Sequence, residues 1–293
     1  MNKSLSPKDI HEIKKLAKTL RAEYGNSPLG EQIFQIVKSN DIHIFYYPIK
    51  FTGENDNPFR AVYLSPNGTE KDKVRFIAIN TYDFLDSILF AIAHELYHYT
   101  EDAIMDIYRN NDEDSNEIRE LKANRFAAEL LLPEDAVMQE VAEWNNGLTN
   151  LIDWDILKIL RFIAYLHCHY WAPFKCIVIR LFETNCIDEE TVKELLVEDA
   201  RDGESRYYKI ADAVNRNIFQ RLNERINKIG MDYVNLEVLL NNYELGIVST
   251  NEISKDLEIF GTNLGSYGLD EKVEEEDLEE LKRLFEDFEN DSK

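Results

Sequence analysis

The stretch LFAIAHELYHY, residues 89–99, decides the fold of this chain. Apolar residues surround most of its circumference, which predicts a largely buried helix from Tyr82 to about Glu101. His94 and His98 are four residues apart, so they project from one face of that helix about one turn apart. Each can present an imidazole nitrogen to a single Zn²⁺ at about 2.0–2.1 Å. Two unpaired histidines and a glutamate on a buried helix would be costly without compensation, and the pattern therefore predicts a metal site.

Glu95 lies beside the face that carries the two histidines. From there it can reach a metal-bound water without ligating the metal. Zinc lowers the pKa of such a water toward about 7, and a carboxylate takes its proton as it attacks a carbonyl. We therefore predict a zinc hydrolase with Glu95 as the catalytic base. The alternative is a chance His-Glu-x-x-His on a surface helix, which would need no metal.

A third protein ligand is expected, because catalytic zinc sites usually have three and leave one position open. A second helix is predicted from about Ser115 to Leu132, stopped by Pro133. The acidic candidates in this region are Glu113, Asp114, Glu117, Glu120 and Glu129. The core face of the helix is defined by Ala123, Phe126, Ala127, Leu130 and Leu131. Glu120 lies on that inward face, where an acid needs a partner. We predict Glu120 as the third ligand, with Glu117 in reserve.

The two segments together resemble the ImmA/IrrE family of metallopeptidases. In that family HExxH is followed by E-x-x-A-N-x-F-A-x-x-L-L-x-P, which here falls on residues 120–133. The resemblance covers about residues 25 to 145. It implies one zinc ion held by His94, His98 and Glu120, with Glu95 as general base. It also implies a gluzincin-like zinc peptidase core.

The remaining sequence predicts an α+β protein. Helices are expected at 7–24 and 29–39, and strands within 41–49, 59–64 and 73–79. We expect a small antiparallel sheet packed on the active-site helix, followed by a mainly helical C-terminal region. Three parts are predicted: a zinc metallopeptidase domain at 1–145, a helix-turn-helix-like helical segment at 146–200, and a helical region with an acidic tail at 201–293. The tail, 270–293, has twelve acidic and four basic residues.

Family resemblance also implies a substrate and a partner. Such peptidases are typically bacterial or carried by phages and mobile elements, and several cleave a helix-turn-helix transcriptional repressor once to relieve repression. We therefore predict a zinc metallo-endopeptidase whose substrate is a separate repressor polypeptide. The alternative is a non-catalytic module that sequesters a DNA-binding protein, or an acidic mimic of DNA. An intact HExxH with Glu120 speaks against both alternatives, because neither role requires it.

Composition limits the other possibilities. The formal charge of −23 repels phosphate backbones, so direct nucleic-acid binding is not expected. The segment 153–187 has few bases, Arg161, Lys175 and Arg180 among them. Neither a signal peptide nor an apolar span of 18 residues is found, and a cytoplasmic protein without membrane segments is predicted.

The cysteine content also favours a cytoplasmic location. There are three, Cys168, Cys176 and Cys186, an odd number that favours reduced thiols. Their spacing matches no common zinc pattern, and we interpret them as small core residues.

Overall fold

The computed structural model describes residues 4–50, 59–65, 74–108, 116–231, 234–259 and 262–269. Its contacts divide the chain into two units, Met1–Ile229 and Gly230–Lys293. The α+β class is confirmed, with a small sheet and a mainly helical C-terminal part. The domain boundaries expected at 145 and 200 stay predictions.

In the first unit the described residues form three strands and nine α-helices. The strands are Ile42–Tyr47 (β1), Ala61–Leu64 (β2) and Arg75–Asn80 (β3). The helices are Pro7–Leu20 (α1), Ile33–Ser39 (α2), Leu85–Tyr108 (α3), Asn116–Leu131 (α4), Glu134–Trp144 (α5), Ile156–Tyr170 (α6), Phe174–Glu183 (α7), Glu189–Leu195 (α8) and Arg206–Leu222 (α9).

The sheet of the first unit is small, as expected, but its pairing is mixed. β2 and β3 form the expected antiparallel pair, with Tyr63 opposite Ile77. β1 pairs with β3 in parallel, with Ile44 opposite Ile77. The strand order β2-β3-β1 explains the difference, because the second strand of the β2–β3 hairpin lies beside β1. As a result β2 is an edge strand, and it packs against α3.

The N-terminal helix α1 begins where the sequence predicts. Ser6 is its N-cap, Pro7 is its first residue, and Ser6 and Asp9 form a capping box. Lys122 of α4 makes an ion pair with Asp9 at 2.9 Å. Ile13 and Ala17 are buried in the core, and α1 packs against α4. The residues before α1 are thereby held beside the helix that carries Glu120.

Helices α3 and α4 form the centre of the core. Leu89, Ile92 and Leu96 of α3 are fully buried. On α4, Ala123 and Phe126 are likewise fully buried. This confirms the apolar faces that predicted both helices, and it brings the HExxH helix against the helix of Glu120.

Helix α5 has no counterpart among the predicted elements. Pro133 does stop α4, but it is also the residue that precedes α5. Glu134 and Asp135 lie in the first turn of α5, where negative charge favours the helix N-terminus. One proline thus both ends a helix and begins the next.

A buried polar cluster joins the start of α3 to α6 and α9. His167 lies between Asp86 and Tyr207, with Nε2 3.0 Å from Asp86 Oδ2 and Nδ1 2.8 Å from the Tyr207 hydroxyl. Arg201 also donates to Asp86. Burial acts to raise the pKa of Asp86, but the bonds from His167 and Arg201 outweigh it and lower this pKa. The cluster anchors the first turn of the HExxH helix to the helices that follow the core.

The second unit contains a two-residue strand, Gly230–Met231 (β4), and two helices, Val234–Glu244 (α10) and Thr250–Ile259 (α11). The glycines of the stretch 261–269, GTNLGSYGL, predict a linker. The structure has a 3₁₀ turn within it, at Leu264–Tyr267, capped by Asn263. The acidic tail, 270–293, lies outside the described residues. None of the described helices combines the length and apolar character that a membrane crossing demands.

Candidate active site

The structure brings His94, His98 and Glu120 together. The Nε2 atoms of His94 and His98 are 3.3 Å apart, as one turn of α3 allows. Glu120 comes from α4, with its two carboxylate oxygens 3.1 Å from His94 Nε2 and 3.6 Å from His98 Nε2. Among the described residues, this is the group of His, Cys, Asp and Glu side chains that is close enough to share a metal ion.

The three donor atoms fit zinc. In a tetrahedral site with bonds of about 2.0–2.1 Å, neighbouring donor atoms are about 3.3 Å apart. The two Nε2 atoms are 3.3 Å apart. Each lies at a similar distance from one oxygen of Glu120, His94 at 3.1 Å from Oε2 and His98 at 3.6 Å from Oε1. Two imidazoles and one carboxylate are also a common ligand set of catalytic zinc.

Glu120 differs in one respect from its prediction. Its side chain is 57% exposed, although we expected an inward-facing acid. The imidazoles of His94 and His98 are only 15% and 18% exposed. The site therefore opens to solvent on the side of α4, where a substrate can approach.

Glu95, next to His94 on α3, is 8% exposed. Its Oε2 accepts a hydrogen bond of 2.7 Å from the backbone N–H of Tyr63 on β2. Burial raises the pKa of Glu95, although His94 and the Tyr63 N–H act in the opposite direction. A raised pKa makes a carboxylate a stronger proton acceptor.

The orientation of His94 is set by Asn124, one turn after Glu120 on α4. His94 Nδ1 lies 3.0 Å from Asn124 Oδ1. Because an amide oxygen only accepts, the ring donates from Nδ1, which leaves Nε2 as the nitrogen that would ligate a metal. This is the tautomer that a metal ligand requires. No role was predicted for Asn124 from the sequence, although the motif E-x-x-A-N contains it.

The orientation of His98 involves Glu101, one turn further along α3. His98 Nδ1 lies 3.9 Å from Glu101 Oε2. Arg119 donates to the same oxygen from Nε at 3.0 Å and from Nη2 at 2.7 Å. Burial acts to raise the pKa of Glu101, but His98 and Arg119 outweigh it and lower this pKa. The carboxylate therefore stays charged beside the imidazole, as is usual for metal-binding histidines.

The other candidates do not join this group. Glu129 makes an ion pair with the buried Arg180, and Glu117 is absent from the close set. Glu113 and Asp114 lie outside the described residues.

The cysteines are free thiols in the core. Burial raises the pKa of Cys168 and of Cys176 to about 12. Such thiols stay protonated, in agreement with their interpretation as core residues.

A comparison with known protein families also points to a peptidase. Residues 38–152 match the Peptidase_M78 family, described as the IrrE N-terminal-like domain. This match supports the resemblance to the ImmA/IrrE proteins. It also supports a metallopeptidase-type function for the matched region. No curated protein sequence is significantly similar to the chain.

Proposed function

We propose that the protein is a zinc-dependent endopeptidase that cleaves a protein partner. The observation that carries this proposal is the meeting of His94, His98 and Glu120 within 3.1–3.6 Å of one another beside the buried Glu95. His94, His98 and Glu120 would hold the ion. When bound, zinc would supply Lewis-acid chemistry: it would polarise the scissile carbonyl and lower the pKa of a water, so that the water can be deprotonated for attack.

Glu95 acts as the general base in this proposal. The bond from the Tyr63 N–H holds one of its carboxylate oxygens, and the second oxygen accepts the proton of the attacking water. The same carboxyl group then returns that proton to the departing amine.

The substrate backbone pairs with the outer edge of β2. β2 is an edge strand, and the Tyr63 N–H points away from β3 toward Glu95. An extended peptide added to this edge would lie beside the metal ligands. Strand addition recognises a substrate through backbone hydrogen bonds rather than through side chains, so it favours a mobile, extended loop in the substrate.

The proposed substrate is a separate helix-turn-helix repressor. The net charge of −23 favours docking of a basic DNA-binding protein. Direct DNA binding by the segment 146–200 is disfavoured, since Arg180, one of its few bases, is fully buried against Glu129. Cleavage of the repressor would then relieve repression in the cytoplasm.

Three variants test the proposal. For each, zinc content is measured in parallel with cleavage of a candidate helix-turn-helix repressor, taken from the adjacent gene. Glu95→Gln is expected to keep zinc and lose cleavage by at least about 10²-fold, which is typical of a missing general base. His94→Ala and Glu120→Ala are expected to lose both zinc and cleavage.

Two results would contradict parts of this proposal. If Glu95→Gln cleaved at the wild-type rate, Glu95 would not be the general base. Full relief of repression in cells by Glu95→Gln, with the repressor intact, would replace cleavage with sequestration.

A further inference from the structure

A cleft of about 690 Å³ lies beside the candidate active site. Its lining includes Phe90, one turn before His94 on α3, and Asn124, the partner of His94. Its apolar lining comes mainly from Leu5, Ile10, Phe90, Leu121, Ala128 and Ile179. A volume of this size accepts a ligand larger than one small side chain.

The outer wall of the cleft comes from outside the family domain. Leu5 and Ile10 belong to the start of the chain, and Cys176 and Ile179 belong to α7. All four lie outside residues 38–152, whereas the metal-binding group lies within them. The metal-binding group therefore lies within the matched domain, whereas part of the cleft lining comes from elements outside it.

The charged side chains that line the cleft are mostly cationic, despite the overall charge of −23. The charge of Arg125 is neutralised by Glu183 at 2.7 Å, and Arg60 lies 3.2 Å from Asp83. Lys175 is exposed on the cleft rim, and it makes no ion pair or hydrogen bond within the described part of the chain. An uncompensated cation at an apolar opening favours a ligand that has an acidic group next to an apolar one.

We propose that this cleft is the specificity subsite of the enzyme. It binds the substrate segment next to the scissile bond, with a large apolar side chain inside and an adjacent Asp or Glu at Lys175. This inference rests on the proposed peptidase function and adds the side-chain preference that backbone pairing with β2 does not supply.

Binding is tested without turnover in full-length Glu95→Gln protein. The probes are the capped peptides acetyl-Gly-Xaa-Glu-Gly-amide, with alanine, leucine or phenylalanine at Xaa, titrated by NMR. The leucine and phenylalanine peptides are expected to bind at least about tenfold more tightly than the alanine peptide, because they bury more apolar area. Replacing Glu by Gln in the probe is expected to weaken binding up to about fivefold, as for an exposed ion pair.

Two pairs of variants locate the effect. Ile179→Trp narrows the cleft and is expected to abolish the preference for leucine and phenylalanine. Leu157→Trp is its control, because Leu157 is similarly exposed (46% against 48%) and lines another surface. Lys175→Glu is expected to remove the preference for Glu over Gln, and Lys15→Glu, an exposed lysine of α1 outside the cleft, is expected to keep it.

Zinc-loaded wild-type protein and a library of peptides from a digested proteome supply the second arm. Cleavage sites enriched in a large apolar residue followed by Asp or Glu, with the enrichment lost in Ile179→Trp, would support the subsite. Peptides that bind with this preference but are never cleaved would support the subsite and contradict the proposed peptidase function. Equal binding of all probes, or cleavage without side-chain preference, would overturn the subsite alone.

Discussion

Replacement of Asn124 by leucine is expected to weaken zinc binding by about tenfold. Asn124 accepts the Nδ1–H of His94 at 3.0 Å and so fixes both the tautomer and the ring orientation. Loss of such an outer partner typically costs 10- to 100-fold in metal affinity, or about 1.4–2.8 kcal/mol. Asn124 is exposed, so water can replace its oxygen in the variant. The lower end of that range is therefore expected.

The conservative variant Asn124→Asp tests the cause. A carboxylate accepts the same hydrogen bond more strongly, so zinc affinity is expected to equal or exceed that of the wild type. A role of Asn124 in folding alone would predict no such separation between leucine and aspartate.

Affinity is measured by competition with a chromophoric zinc chelator at constant pH. Asn217→Leu, a substitution of the same type at an exposed position of α9, is the control and is expected to leave affinity unchanged. Equal affinities of the Asn124→Leu and Asn124→Asp proteins would refute the idea that this hydrogen bond orients His94.

Three further predictions concern stability. Zinc at 100 times its dissociation constant is expected to stabilise the wild type by about 2.7 kcal/mol, and Glu120→Ala is expected to lose this gain, measured by thermal unfolding with and without chelator. Arg180→Met removes the nearer of two cations beside the buried Glu129 and leaves Arg125 at 4.0 Å, so it is expected to cost about 3 kcal/mol in urea unfolding. The exposed Arg216→Met should cost less than about 0.5 kcal/mol, and equal losses would contradict the buried pair. The Ser6 hydroxyl and Lys122 lower the pKa of Asp9 from 3.8 to about 2. The charged Asp9 therefore stabilises the folded state above about pH 4, and this stabilisation is lost as the pH falls toward 2. Allowing for solvent screening, Asp9→Asn is expected to cost about 1 kcal/mol at pH 7 and progressively less below pH 4, and a difference independent of pH would contradict this.

Much of the first unit can be predicted from local patterns. The apolar faces predicted α3 and α4, and the capping signal at Ser6 predicted the start of α1. Alternating residues predicted the strands. Two elements were not predicted: α5 begins at the same proline that ends α4, and a 3₁₀ turn replaces a glycine-rich linker. Breaker residues mark where an element stops, but they do not decide which element comes next.

The pairing of strands was only partly predictable. Order along the chain suggested an antiparallel sheet, yet β1 lies beside β3 in parallel. Which edges meet depends on how the β2–β3 hairpin packs on α3, and this packing involves residues far apart in sequence.

The amino-acid sequence by itself determined the relation of His94, Glu95 and His98, because hydrogen bonds between neighbouring turns impose the spacing of a helix wherever it forms. Only the tertiary structure decided that a carboxylate of α4 lies 3.1 Å from His94, that Asn124 orients this histidine, and that Tyr63 holds Glu95. These contacts span 26 to 32 residues of chain, and they depend on how helices and strand pack rather than on any local preference.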